Sequence, residues 1–314
     1  MTAEQKVLRL RPYSTIGNLI GGLMIALSMT LFIINDSLLK SLQEADNPLN
    51  IETLPLPMII AVRGTMVVAF LSLIALSLRQ PILSMKMLMP WNLARAGIEA
   101  IITILFLSSL PFLPFAVQET LISSNPVFLV IFGIFLFGER VGWRRWLAIA
   151  IGFVGIICTS LALDDGGFDP EKFRWWAIPA VLIASVLVAL RDVATRYIGD
   201  GLPPTTVALT SALAILALGW AIVWLDWQWP VGAQLWLLAI SAILVAGAYL
   251  SAVFAVRLGT FAVIGPLRFV SLVVAFAISL SFFGDPFSLI GLIGAMLIVG
   301  SALWIVYRQI QTGK

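Results

Sequence analysis

Long apolar runs recur along almost the whole chain and constrain its fold more than any other feature. A helix needs about 20 mostly apolar residues to cross a bilayer, and about ten such runs lie between residues 16 and 307. Of the 314 residues, 61% are hydrophobic and 11% are charged, whereas a water-soluble domain carries roughly 25% charged residues. The sequence therefore predicts an all-α membrane protein.

Proline, glycine and charged residues separate the apolar runs. Lys6, Arg9 and Arg11 precede the first run, which is too long for the apolar region of a cleavable signal peptide and lacks a small-residue cleavage site. We expect this run to be a retained membrane span. The predicted spans cover residues 16–40, 55–78, 88–109, 112–136, 143–162, 175–197, 204–225, 232–255, 260–282 and 287–307.

The distribution of lysine and arginine predicts the orientation of the chain. With the N-terminus inside, thirteen of the 19 basic residues fall on the cytoplasmic side, three outside and three within spans. Short cytoplasmic loops carry such an excess of basic residues. Both termini, residues 1–15 and 308–314, are therefore predicted to be cytoplasmic.

The second half of the chain repeats the first. The segment "LFGERVGWRRWLAIAIGFVG" at 136–155 aligns with "FFGDPFSLIGLIGAMLIVGS" at 282–301, and "INDSLLK" at 34–40 aligns with "LRDVATR" at 190–196. Five spans per half is an odd number, so the halves insert with opposite topology, an arrangement common in secondary transporters. Chance similarity between apolar helices is the alternative, and it explains these shared patterns less well.

These motifs carry a family resemblance over residues 17–307. The ten predicted spans, "GERVGWRRWLAIAIGFVGII" and its echo "GDPFSLIGLIGAMLIVG" resemble the drug/metabolite transporter superfamily of EamA type. The segments "NDSLLK", "VRGTM", "LARAG", "RRW" and "GPLRFVSLV" resemble a subgroup described as S-adenosylmethionine or organic-anion carriers. In the second half, Gly284-Asp285 stands where the family has Gly-Glu. The resemblance implies a bacterial inner-membrane protein with two EamA repeats, 16–162 and 175–307, joined by a periplasmic linker at 163–174.

Five charged residues fall well inside predicted spans: Arg63, Arg95, Glu99, Glu119 and Arg268. A charge near a helix centre costs about 2.5–3.5 kcal/mol on insertion scales, so such residues usually face the protein interior or a wet cavity. Arg95 and Glu99 are four residues apart and share one helix face. They form either a local ion pair or a cavity wall in which Glu99 orients an arginine from another helix and Arg95 stays available.

The balance of these charges favours an anionic substrate. The five residues comprise three arginines and two glutamates, and a surplus of guanidinium groups suits a substrate with a carboxylate or phosphate. Trp91, one turn before Arg95, and Asn125, beside the helix-kinking Pro126, are further candidate binding residues. Glu119 has two open roles, because it could hold a substrate ammonium or carry a proton.

We expect a secondary transporter that moves a small polar, carboxylate-bearing metabolite by alternating access. The alternative is a carrier of a cationic or neutral metabolite, such as a nucleoside or S-adenosylmethionine, with Glu99 and Glu119 as the key groups. Import and export remain equally open. No ATP-binding loop, catalytic constellation, metal-ligand cluster or nucleic-acid motif occurs in the sequence, so we expect neither an enzyme nor a cofactor.

Two corresponding polar patches near span ends are candidate gates. Asp36 with Lys40 lies near the predicted outer end of the first span, and Asp192 with Arg196 near the inner end of the sixth. Each Asp either closes a gate by meeting a cation across the bundle or pairs with the cation four residues along its own helix. Glycines in spans five and ten serve either internal packing or a homodimer interface.

Overall fold

Helices form the regular structure of the chain. The computed structural model describes residues 15–45, 47–80, 82, 85–125, 127, 128, 131, 132, 143–165, 174–198, 202–258, 267–285 and 288–312. No β-strand occurs among these residues. Together with the apolar composition of the helices, this confirms the prediction of an all-α membrane protein.

The helices overlap the predicted spans. Parts of the fourth and ninth predicted spans lie outside the described residues, so the bounds given for α4 and α9 cover only parts of those spans. In chain order the helices are α1 (Thr15–Ser41), α2 (Leu56–Ser77), α3 (Pro90–Ser109), α4 (Phe115–Ile122), α5 (Trp143–Asp165), α6 (Ala177–Ile198), α7 (Pro204–Ile222), α8 (Ala233–Leu258), α9 (Val270–Ile278) and α10 (Leu289–Thr312).

Six described segments are long and apolar enough to cross a membrane. They are residues 19–41, 56–77, 90–112, 177–195, 205–225 and 233–252, within α1, α2, α3, α6, α7 and α8 or their terminal turns. Shorter apolar stretches lie in α5, α9 with the π-helical turn Ser279–Phe283, and α10. The predicted count of ten spans stays a prediction.

Proline sets the start of three of these helices. Pro90 and Pro204 are the first residues of α3 and α7, and Pro57 is the second residue of α2. Proline suits the first turn, because its missing N–H would have no partner there and its φ is already helical. These starts agree with the proline boundaries used to delimit the predicted spans.

The helices pack in a defined set of pairs. The most extensive contacts join α1 with α8, α5 with α10, α2 with α7, and α3 with α6. Smaller contacts join α3 with α7, α2 with α8, α1 with α9, α4 with α9, and α4 with α6. This arrangement brings α1, α2, α3, α6, α7 and α8 around the polar side chains described below.

Glycine allows close approach in two of these pairs. A Cβ atom on Gly219 of α7 would lie 2.6 Å from the backbone nitrogen of Ala61 in α2. In the α5–α10 pair, a Cβ atom on Gly155 would lie 2.8 Å from the carbonyl oxygen of Gly294. Small residues permit such close backbone contacts between membrane helices, so these two pairs depend on glycine.

Gly219→Ala is expected to destabilise the protein, because its methyl group would press on backbone atoms of α2 that have no freedom to rotate away. Overpacking of this kind costs about 1–3 kcal/mol. Gly300→Ala is the matched control, since a Cβ atom there meets nothing within 4 Å. The melting temperature of the purified protein should fall for the first variant only. Equal melting temperatures for both variants would contradict the proposed contact.

Candidate functional site

A buried carboxylate joins α3, α6 and α8. Glu99 Oε2 of α3 lies 3.2 Å from Arg191 Nη1 of α6, and Glu99 Oε1 accepts a hydrogen bond of 3.1 Å from the Tyr249 hydroxyl of α8. The Glu99 side chain is only 8% exposed. A buried charge requires a partner and hydrogen bonds, and here two helices supply both.

The charge network continues from Arg191 towards α9. Arg191 Nη2 lies 3.0 Å from Asp192 Oδ1, and Asp192 Oδ2 lies 4.0 Å from Arg268 Nη1. The Arg268 side chain is 44% exposed, so this last contact is a loose, solvent-screened pair that adds little stability. The structure therefore brings together four charged residues, which are Glu99 of α3, Arg191 and Asp192 of α6, and Arg268 just before α9.

Arg95 has neutral partners. Its Nε donates to Thr195 Oγ1 of α6 at 3.0 Å, and its Nη1 donates to Ser211 Oγ of α7 at 2.6 Å. Among the described residues its guanidinium forms no ion pair, because Glu99 is paired with Arg191. Hydroxyl groups do not neutralise the guanidinium, so Arg95 keeps a positive charge available to an anion.

Hydrogen bonds between α3 and α7 fix the position of Arg95. Asn92 is fully buried and donates to the Met87 carbonyl oxygen at 3.0 Å and to Thr210 Oγ1 at 2.9 Å. Trp91, on the turn before Arg95, is 48% exposed. The start of α3 is thus held against α7 while Trp91 and Arg95 border accessible space.

A second polar cluster joins α1, α2 and α8. Asn35 Oδ1 accepts hydrogen bonds from Ser241 Oγ at 2.6 Å and from Arg63 Nη2 at 3.3 Å. Asn35 Nδ2 donates to Asp36 Oδ1 at 2.8 Å. The Nε of Arg63 is buried and has no hydrogen-bond partner. Asn35 therefore organises this cluster and places Arg63 near Asp36.

Glu119 lies on α4 near the second cluster. It is 4% exposed, and its Oε1 has no hydrogen-bond partner among the described residues. Asp36 of the second cluster is its neighbouring acidic side chain. Asn125, also predicted as a binding residue, donates from Nδ2 to the Ile122 carbonyl oxygen one turn earlier, at 3.1 Å.

Lys40 holds together the end of the bundle where α1 ends. Its ammonium is buried, donates to the Leu113 carbonyl oxygen at 2.6 Å, and lies 3.7 Å from Glu44 Oε1. The Phe283 ring centroid is 5.1 Å away. In the described part of the chain, Lys40 forms no ion pair with Asp36, so these two predicted gating residues are not brought together.

The gating residues on α6 are described only in part. Asp192 contacts Arg191 on its own helix and Arg268 before α9. The side chain of Arg196 lies outside the described part of the chain.

Sequence reasoning missed Arg191 and Tyr249 as central residues. The distribution of basic residues predicts a cytoplasmic position for Arg191, yet α6 continues to Ile198, which puts Arg191 about 10 Å before the end of the helix at 1.5 Å per residue. In the alignment of "INDSLLK" with "LRDVATR", Arg191 corresponds to Asn35. This correspondence is a sequence signal for the central position of Arg191. A tyrosine in an apolar span carries no comparable signal.

Comparisons with known proteins indicate transport. No family model matches the chain. An S-adenosylmethionine uptake transporter of Rickettsia felis is 25% identical over 195 residues, which cover 59% of this chain and 61% of that protein. A riboflavin transporter of Rhizobium johnstonii is 27% identical over 256 residues, covering 77% and 79%. The match thus spans about 61% of the length of the first relative.

A solved structure shares the fold. It is a crystal structure that superposes with a TM-score of 0.62 at 20% sequence identity, covering 96% of this chain and 99% of that one. At this identity the likeness concerns the fold alone. The apolar helices support a multi-pass membrane protein, and the two relatives described here are named as transporters of small metabolites.

Arg191→Gln is expected to lower stability by about 3 kcal/mol, because it leaves Glu99 buried without its cation. Adding Glu99→Gln to this variant should restore much of the loss, since the buried charge is then gone. Melting temperatures of the single and double variants measure this coupling. A double variant no more stable than Arg191→Gln alone would show that the pair does not bear on folding.

Proposed function

We propose that the chain is a secondary transporter of the drug/metabolite transporter superfamily, of EamA type. It carries a small metabolite with a carboxylate or similar anionic group across a bacterial inner membrane by alternating access. Both termini lie in the cytoplasm. The observation that carries the substrate class is the guanidinium of Arg95, which forms no ion pair among the described residues and bonds to two neutral hydroxyls.

The charge balance around Arg95 supports an anionic substrate. Two carboxylates, Glu99 and Asp192, already have Arg191 and Arg268 as partners. Arg95 is therefore the cation left over: two hydroxyls hold its Nε and Nη1, and its Nη2 has no hydrogen-bond partner among the described residues. Guanidinium binds carboxylate and phosphate through two parallel hydrogen bonds, so a substrate anion completes the network.

The helix contacts support two inverted five-helix repeats. Exchanging each of α1–α5 with its counterpart in α6–α10 converts the α1–α8 contact into α6–α3, and α3–α7 into α8–α2. It likewise converts α1–α9 into α6–α4, and it leaves α2–α7, α4–α9 and α5–α10 unchanged. Every one of these contacts is present. The two polar clusters also use aligned positions, Asn35-Asp36 and Arg191-Asp192.

Side chains around Lys40 are buried, whereas side chains around Arg95 are exposed, and this difference supports alternating access. Around Lys40, the residues Leu39, Leu42, Leu113 and Phe115 are all buried. Around Arg95, Trp91 and Arg268 are substantially exposed. We assign Asp36 and Lys40 to a gate near the C-terminal end of α1, which closes when Asp36 meets a cation across the bundle. Asp192 and Arg196 take the corresponding role on α6.

A cationic or neutral substrate is the second candidate. The unpartnered Oε1 of Glu119 favours it, since that oxygen could accept a substrate N–H. Glu99, its other predicted group, already accepts bonds from Arg191 and Tyr249. Only one of the two carboxylates is therefore available for this role.

Arg95→Gln is expected to weaken substrate binding about 10- to 100-fold, because it removes hydrogen bonds to a charged group. Counterflow of labelled S-adenosylmethionine, amino acids and dicarboxylates into proteoliposomes measures the effect. Arg95→Lys should restore part of the binding, since it keeps the charge without the planar fork.

Arg79→Gln is the matched control, because Arg79 is an exposed arginine in the turn after α2. It should behave as the unchanged protein. Counterflow at full affinity in Arg95→Gln would refute Arg95 as the anion-binding residue.

A further inference from the structure

Glu119 is a buried carboxylate that the substrate site does not use. Its side chain lies on α4, is 4% exposed, and leaves Oε1 without a hydrogen-bond donor. The neighbouring Gln118 donates its Nε2 to the Phe106 carbonyl oxygen at 2.8 Å rather than to Glu119. An ionised carboxylate in this position would be buried without compensation, which costs several kcal/mol.

The charged groups around α4 do not neutralise Glu119. From α1 come Asp36, a second carboxylate, and Lys40, whose ammonium donates to the Leu113 carbonyl oxygen and lies 3.7 Å from Glu44 Oε1. From α6 come Arg191 and Asp192, which contact each other. The turn after α9 contributes Asp285, whose Oδ2 accepts a bond from the Phe115 backbone N–H at 2.9 Å.

In the part of the chain that the structure describes, the other elements around α4 add no cation beside Glu119. Helix α9, "VSLVVAFAI", contains no titratable side chain. Among the α5 residues whose side chains the structure describes, Cys158 is the titratable one. Arg63 lies beside Asp36, and its Nη2 donates a hydrogen bond to Asn35 Oδ1. Among the described residues, this guanidinium partners Asp36 and not Glu119, so a proton on Glu119 removes the uncompensated charge.

Helix α4 also connects Glu119 to the closed end of the bundle. Lys40 binds the Leu113 carbonyl oxygen just before α4, and Ser279 Oγ accepts the Ala116 backbone N–H at 3.1 Å. Opening this end requires these contacts to break and α4 to move. Such a movement exposes Glu119 to water, where an ionised carboxylate is stable.

We propose that Glu119, with Asp36 as its neighbouring carboxylate, is a proton-binding site that couples transport to a pH gradient. The proton stays on Glu119 while the α1 end is closed and passes to water when that end opens. The inference rests on the proposed transporter function, because coupling requires a carrier.

Infrared spectroscopy of the full chain in lipid bilayers tests the proton site directly. The spectrum near neutral pH should contain the carbonyl band of a protonated carboxyl group that shifts in heavy water. Glu119→Gln should remove this band. Glu52 is exposed and lies in a loop, so Glu52→Gln should leave the band unchanged. A spectrum of the unchanged protein without such a band, or a band that persists in Glu119→Gln, would overturn the proposal.

Proteoliposomes test the coupling, with labelled S-adenosylmethionine as the probe. One proton per substrate predicts about tenfold accumulation per pH unit across the membrane, since each pH unit corresponds to a factor of ten in equilibrium. The ratio of uptake with and without the gradient should fall towards one in Glu119→Gln and stay at the unchanged value in Glu52→Gln. Counterflow without any effect of the gradient in the unchanged protein would overturn the coupling. Absence of counterflow would instead contradict the carrier function and leave the infrared result to decide the proton site.

Discussion

The cost of burying charge in an apolar helix bundle is the constraint on which the rest of this structure depends. Glu99 cannot remain ionised inside the bundle without donors, and Arg191 and Tyr249 supply them from α6 and α8. This requirement draws three helices from both halves of the chain to one point. Because Glu99 is paired with Arg191, Arg95 has hydroxyl groups as its hydrogen-bond partners. The site therefore keeps a positive charge.

Helix α8 connects the two polar clusters mechanically. Ser241 bonds Asn35 in one cluster and Tyr249 bonds Glu99 in the other. The two residues are about 12 Å apart along the helix at 1.5 Å per residue. In the proposed transport cycle, this helix links a change in contacts at Glu99 to the cluster of Asn35 and Arg63.

The sequence was sufficient to predict the helices and their buried charges, because the length of an apolar run and the cost of a charge are local properties. It was not sufficient to predict the partners. Whether Glu99 meets Arg95 on its own helix or Arg191 on another depends on how α3 and α6 pack. Lys40 illustrates the same limit: its carbonyl acceptor at Leu113 has no sequence signature, since every residue carries a carbonyl group. Ser241 and Tyr249 were missed because a hydroxyl in an apolar span costs little and is common.

The central claim is that a free guanidinium receives a substrate anion, and ligand pairs test it most directly. Melting temperatures of the purified protein should be measured with carboxylic acids, including amino acids and dicarboxylates, each beside its methyl ester. A ligand at 100 times its Kd stabilises the folded state by about 2.7 kcal/mol, so binding raises the melting temperature. The account predicts stabilisation by one or more acids and none by the matching esters. Equal stabilisation by acid and ester would contradict it.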